Sequence, residues 1–328
     1  MFANTLWGSL LLSLVISLSA AEAAPSDLMF EQYLDVLQQQ ALTEGVSDAT
    51  VSAIFPQIKL FKKASFNLEP PSIPLTLEQH LEQVTSTLIE QSRSLYQANK
   101  AQFDRLGAHY GVQPRFVIAL WGLTSKSGND VGHYPILAVT ASNAYHGDNV
   151  AENRQAFMDA LKVIERKQID FNALKSNASG KMGYAHFSPS DYNRFGQDAD
   201  DDGIIDVWHN LNDAFASTAY YLQQLGWNDQ QTWGRQVQVP QAIPLDLIGI
   251  ETRKSFAQWQ ALGVKRFDGT NLPNKQDMQV SLIMPDGIKG RKYLVYDNYR
   301  ALTQWNASDY DLLSLTYLSE RIKYPAIQ

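Results

Sequence analysis

Ala119-Leu120-Trp121-Gly122-Leu123-Thr124-Ser125-Lys126-Ser127-Gly128 runs from an apolar segment into a short polar one closed by glycine. Residues 115–123 (RFVIALWGL) are apolar on nearly every side, which predicts a central, buried helix rather than a surface one. Pro114 suits its first turn, where an amide hydrogen has no helical partner anyway, and Tyr110-Gly111-Val112-Gln113 ends the element before it. A helix buried on all sides needs amphipathic neighbours to cover it.

The flanking sequence supplies them. Residues 30–42 read as a helix, and Pro56, Pro70, Pro71 and Pro74 make 56–74 an extended connection. Thr76 and Gln79 form a capping box ahead of Leu77, Leu81, Val84 and Leu88, so one long helix is expected from Thr76 to about residue 106. Two further helices are expected at 151–167 and 213–225, the second with Asn212 as N-cap and Gly226 as its stop. After Trp227 the period changes. Val237 and Val239 alternate with polar residues, as do Met278, Val280, Leu282 and Met284, and Pro285-Asp286-Gly287 turns the chain into residues 293–296. The expected organisation is a signal peptide at 1–23, an N-terminal helical region at 24–109, a core at 110–227, a small β subdomain at 228–300 and a C-terminal helix at 301–328. The fold class is mainly α with a minor sheet (α+β).

Composition bounds the function. The chain has 328 residues, 45% of them hydrophobic and 19% charged, which excludes disorder and a multi-span membrane protein. A formal charge of −7 argues against nucleic acid as a partner. Cysteine is absent, so disulfides, thiolate metal sites, Cys nucleophiles and a lipidated Cys anchor are excluded together. Residues 6–18 are apolar, too short to span a bilayer comfortably, and lead into Ala20-Ala21-Glu22-Ala23-Ala24-Pro25, the small-residue pattern of a secretory cleavage site. The absence of Lys and Arg before this run leaves an uncleaved anchor as the competing reading. Cleavage near Ala23 would remove Glu22 and leave −6 on an exported, periplasmic protein without a stable membrane anchor.

Asp198-Ala199-Asp200-Asp201-Asp202-Gly203-Ile204-Ile205-Asp206-Val207-Trp208-His209 matches a calcium-binding loop at positions 1, 3, 5, 6 and 9. Asp198, Asp200 and Asp202 would converge on the ion, the Ile204 carbonyl would supply position 7 and Asp206 position 9. His209 stands where a bidentate Glu is expected and is a poor ligand for a hard cation. One structural Ca2+ or Na+ is expected, and no catalytic cofactor. The competing reading is a solvated Asp-rich turn.

Taken together, several motifs resemble the membrane-bound lytic murein transglycosylase B family, whose core is lysozyme-like of the goose type. They are Tyr110-Gly-Val-x-Pro114, Ala119-Leu-Trp121-Gly122, Gly180-Lys-Met182-Gly183-Tyr184-Ala-His186-Phe187-Ser-Pro189-Ser190-x-Tyr192, the acidic loop, Asp213-Ala-Phe-Ala-Ser217-Thr-Ala219-Tyr-Tyr221-Leu222, Gly226-Trp227, Trp259-Gln-Ala-Leu262-Gly263-Val264 and Asn306-x-Ser308. The resemblance extends from about residue 75 to the C-terminus. It implies a peptidoglycan glycan strand as ligand, with Ser125, Tyr184, His186, Tyr192, Asn306 and Tyr310 as glycan-binding candidates.

The resemblance also exposes a departure. The family pattern Trp-Gly-x-Glu-Ser-x-x-Gly places its catalytic Glu on Thr124, with Ser125 and Gly128 fixing the register. In this family a single protonated Glu donates to the glycosidic oxygen, then takes the proton of the muramyl 6-hydroxyl to close a 1,6-anhydro ring. Threonine cannot donate usefully at neutral pH. The family Gln before Phe187 is His186, and the Tyr of its Asn-x-Ser-x-x-Tyr motif is Asp311, with Tyr310 one residue early. The leading expectation is therefore a catalytically impaired protein that binds glycan strands, with other cell-wall enzymes as further partners. An active transglycosylase using Asp311 or Asp130 as a relocated acid, or a scaffold that has abandoned glycan, are the alternatives. Glu251 in Gly249-Ile250-Glu251-Thr252 imitates the catalytic stretch, but it belongs to the β region.

Overall fold

The computed structural model describes residues 29–62, 75–146, 149–167, 170–275 and 277–323. The signal-peptide reading at 1–23 lies outside them. No helix among the described residues is long and apolar enough to cross a membrane.

The central helix is present as Pro114–Thr124, and it buries every side chain from Phe116 to Gly122. Burial of this kind stabilises by about 1.5–3 kcal/mol for each large apolar side chain. Its cover comes from the helices Ser86–Ala98, Lys100–Tyr110, Leu211–Gln224 and Asp309–Lys323. A methyl on Gly122 would stand 3.1 Å from Leu88 and 3.2 Å from the Ser92 hydroxyl, so this glycine sets how closely Ser86–Ala98 approaches.

The long helix expected from Thr76 is three: Leu77–Leu81, Ser86–Ala98 and Lys100–Tyr110. The Thr76–Gln79 capping box forms as expected, with the Thr76 amide 2.9 Å from the Gln79 Oε1. Thr85 then starts a second helix by accepting the Leu88 amide, and Asn99 breaks the path by donating its side chain to the Leu95 carbonyl. Local side-chain bonds to the backbone outweigh a continuous apolar stripe here. Likewise the helix expected at 213–225 is Leu211–Gln224, capped by Asn210 rather than Asn212. The helix Ile136–His146, which the sequence reading did not assign, is buried over most of its length beside Val150–Lys167.

The N-terminal helical region does not pack as one body. Phe30–Thr43 and Asp48–Ile54 join an apolar cluster with Ile136–His146, Val150–Lys167 and the acidic-loop segment, whereas Leu77–Leu81 onward joins the central helix and Asp309–Lys323. The C-terminal helix thus covers the central one over much of its length, beyond the cleft-completing part expected of it.

Beyond Trp227 lies a five-stranded antiparallel sheet in the spatial order Lys254–Ser255, Gln279–Ile283, Tyr293–Val295, Gly234–Gln238 and Lys265–Arg266. Val237, Trp259, Val264, Val280, Leu282 and Leu294 form its own small core. The turn at Asp286 closes through the Gly287 amide on the Met284 carbonyl at 2.9 Å. Trp121, Trp208 and Trp227 are packing residues. Trp208 donates to the Lys175 carbonyl at 2.9 Å and Trp227 to the Gln113 side chain at 2.8 Å.

Candidate active-site cleft

Thr124 is the last residue of the central helix, and it opens onto a cleft of about 520 Å³. Its hydroxyl donates to the Leu120 carbonyl at 2.8 Å, one turn back. The opposite walls come from the segment after Gly180, contributing Lys181, His186 and Ser190, and from Trp305 and Asn306 ahead of the last helix. The cleft's carboxylates are Asp191, from the segment after Gly180, and Glu152, from the helix Val150–Lys167.

The chain beyond Thr124 is strained. Lys126 (φ +50°), Ser127 (φ +56°) and Gly128 (φ +86°) are left-handed in succession, and His186 across the cleft has φ +49°. Non-glycine residues in this region cost about 1–3 kcal/mol each and persist only where surrounding structure holds them. Ser125 does the holding. It is fully buried, donates its hydroxyl to the Trp121 carbonyl at 2.6 Å and accepts the Gly128 amide at 2.9 Å. Ser125 was expected to touch glycan, and both of its bonds instead point into the protein because the tight turn needs them. Gly183 (φ +61°) anchors the opposite wall, since a methyl there would lie 2.4 Å from the Val207 carbonyl oxygen.

His186 places its Nε2 2.9 Å from the carbonyl oxygen of Asp130. A carbonyl only accepts, so Nε2 carries the proton. Burial pulls the imidazole below its ordinary value, with the Asp130 carbonyl opposing and the Lys181 and Lys126 charges reinforcing. At neutral pH the ring is uncharged and Nδ1 is left as an acceptor.

The other expected site residues divide. Asn306 lines the cleft and is oriented by donating to the Asp311 carboxylate at 3.0 Å while accepting the Ser308 amide at 2.8 Å. Asp311 therefore sits behind Asn306, and Asp130 meets His186 through its backbone carbonyl; neither is among the residues lining the cleft. Tyr192 is inward, only 2% exposed, with its hydroxyl on the Ile205 carbonyl at 2.7 Å and burial pushing it up to about 12. Tyr310 faces the β subdomain, bonding Asp286 at 3.0 Å and stacking on His80. Tyr184 packs between two apolar clusters against Gly128, and only part of its ring is exposed. Glu251 is exposed and lies in the sheet region. The sequence reading missed Glu152, Lys181 and Trp305. Lys181 lies inside one quoted motif and Trp305 beside another, so both could have been found there. Glu152 has no local signal, because helix packing alone brings it to the cleft.

In the acidic loop the Asp198, Asp200 and Asp202 carboxylates converge, with one oxygen from each within 4.8 Å of the others. That donor set suits a hard cation. Asp206 and His209 do not join them. Asp206 accepts the Trp208 and His209 amides at 2.9 and 3.0 Å, and the His209 ring turns to Asp206 at 3.1 Å. The Ile204 amide bonds Asp202 at 2.7 Å while its side chain is exposed. Buried Asp213 ties the loop down, accepting the Ala199 and Asp206 amides at 2.8 Å each, and burial raises its pKa.

Comparison with known proteins agrees with this architecture. The chain is 25% identical over 268 residues to the membrane-bound lytic murein transglycosylase B of Escherichia coli K12, covering 80% of this chain and 72% of that one. It superposes with a TM-score of 0.83 and 29% identity on SltB3 of Pseudomonas aeruginosa, solved in complex with NAG-anhNAM-pentapeptide, covering 90% and 79% of the two chains. The Escherichia coli lytic transglycosylase Slt35, solved in complex with calcium, shares the fold at a TM-score of 0.75 and 22% identity, over 89% and 92%. The transglycosylase SLT domain model matches residues 29–320, and the chain belongs to that family.

Proposed function

We propose that this protein binds peptidoglycan glycan strands in the Thr124 cleft, in the periplasm, and cleaves them poorly. The observation that carries this is the Thr124 hydroxyl, which is committed to the Leu120 carbonyl where the resemblance expects a protonated Glu. A positioned general acid contributes roughly 10²–10⁴ in rate, and here one group would have served as acid and then as base. The cleft still has the means to hold a sugar. The Trp305 ring offers an apolar face, the Asn306 amide is pre-oriented and the His186 Nδ1 accepts. Binding of a NAG-anhNAM-pentapeptide by SltB3 supports the ligand class.

In the acidic loop we propose one structural Ca2+, held by Asp198, Asp200 and Asp202. It would neutralise three converging carboxylates and tighten the turn at Gly203. The calcium complex of Slt35 supports this reading.

The test is a digest of purified sacculi, with mass spectrometry for 1,6-anhydromuramyl products and pelleting of the protein scored on the same samples. Pelleting without products is expected, and Trp305→Ala should weaken pelleting. A protein that stays in the supernatant would overturn the reading. A second reading rests on Glu152, a carboxylate that lines the same cleft as Thr124. Anhydro products from the wild type that vanish in Glu152→Gln would establish that it acts as the acid.

A further inference from the structure

The β subdomain differs in charge from the remainder of the protein. Residues 228–300 hold ten Lys and Arg against seven Asp and Glu, a net +3, and the rest of the chain therefore carries −10. Part of this positive charge gathers around a groove of about 450 Å³, far in sequence from Thr124 and sharing no lining residue with its cleft. The floor is the strand Gly234–Gln238, and the sides are the Gly290-Arg291-Lys292 segment and Phe267.

Both of the groove's acids are hydrogen-bonded within the protein, and Glu78 is also ion-paired, which leaves the groove's five charged side chains at a net +1. Glu78 is gripped by Arg291 through both oxygens, at 2.6 and 2.8 Å. Asp286 accepts the Leu77 amide at 2.9 Å and the Tyr310 hydroxyl at 3.0 Å. Two of its cations have no ion pair. Among the described residues Lys289 and Lys292 form no ion pair, and the Lys292 ammonium reaches only the Gly290 carbonyl at 2.8 Å. Beside them Phe267 is 62% exposed, on a loop pinned by the Gln238 side chain, which donates to the Phe267 carbonyl at 2.8 Å. An aromatic ring held out into water next to two unmatched ammonium groups suits a carboxylate carried on a short, partly apolar chain.

We infer that this groove is a second binding site and that it takes the carboxylate-bearing stem peptides of peptidoglycan while the Thr124 cleft takes the glycan. The inference rests on the proposed function for its choice of polymer. Lys289 and Lys292 supply the charge, and Phe267 covers the alanine methyl groups of the peptide. Two sites on one protein, each of low affinity, would together hold a peptide-bearing strand more tightly than either alone.

The experiment is pelleting on intact sacculi and on sacculi freed of stem peptides by an amidase, with the Lys289→Glu, Lys289→Glu/Lys292→Glu and Phe267→Ala variants beside the wild type. Lys289 and Phe267 are exposed, so their substitution leaves the fold in place even if Lys292 is needed locally. The wild type is expected to bind peptide-bearing sacculi about three- to tenfold more tightly than peptide-free glycan, the range that two or three exposed contacts provide. The double variant should lose that advantage, match the wild type on peptide-free glycan and show a flatter salt dependence. Equal wild-type binding to both materials, or variants unchanged on intact sacculi, would overturn the inference and leave glycan binding intact. A wild type that pellets with neither material would instead remove the proposed function beneath it.

Discussion

Thr124 donates its hydroxyl proton to the carbonyl oxygen of Leu120, 2.8 Å away and one turn back along the central helix. That bond leaves the cleft with oxygen lone pairs and a methyl group at this position, and no proton to give a leaving group. The remaining walls are arranged around a neutral residue. The Lys181 ammonium and the imidazole of His186 share the cleft with it.

Restoring the acid alone should therefore restore little. A carboxylate in Thr124→Glu would face His186 where the family has Gln, in a cleft whose Lys181 is opposed by Glu152 and Asp191, so the new acid lacks the neighbours that orient it in a relative. Traces of 1,6-anhydromuramyl product are expected, about 10²-fold or more below an intact relative. Adding His186→Gln, the family residue at that position, should raise the yield. Quantified product release from sacculi checks this, and a single variant as active as a relative would show that the neighbouring residues matter less than argued.

Ser125→Ala should destabilise the fold by about 1–2 kcal/mol, because it strips the half-buried Gly128 amide of its acceptor and leaves three left-handed residues without their clamp. Urea denaturation at fixed pH measures the change. Sacculus pelleting by the folded fraction should remain, since this hydroxyl faces the protein and not the cleft.

His186 makes stability depend on pH in a defined direction. Its folded pKa lies below the ordinary value of 6.5, so the unfolded chain binds the proton more readily. The native state is favoured above pH 6.5 and loses that advantage as pH falls through 6.5 towards the lower folded value. His186→Gln removes the titrating group, so its denaturation midpoint should fall less than that of the wild type between pH 7 and 5. Parallel curves for the two proteins would contradict this account.

Calcium should raise the melting temperature, and Asp198→Asn/Asp202→Asn should abolish the increment while leaving the apo protein folded. Binding at a hundredfold excess over Kd is worth about 2.7 kcal/mol. Calorimetry with calcium and with EDTA measures it. Asp206→Asn should instead lower stability with or without the ion, because Asp206 caps the Trp208 and His209 amides.

The amino-acid sequence determined the central helix, the capping box at Thr76 and Gln79, the turn at Asp286 and the convergence of Asp198, Asp200 and Asp202. Each is written in short-range patterns of apolar spacing, caps and turn residues. Tertiary structure alone decided which motif residues face the cleft. Ser125 and Tyr192 stand in the same motifs as Thr124 and His186, yet they turn inward because buried hydroxyls must find backbone partners. It decided equally that Asp311 lies behind Asn306 and that Glu152, from a helix with no motif, reaches the cleft wall. Side-chain direction depends on which face of an element its neighbours cover, and residues distant in the chain set that face.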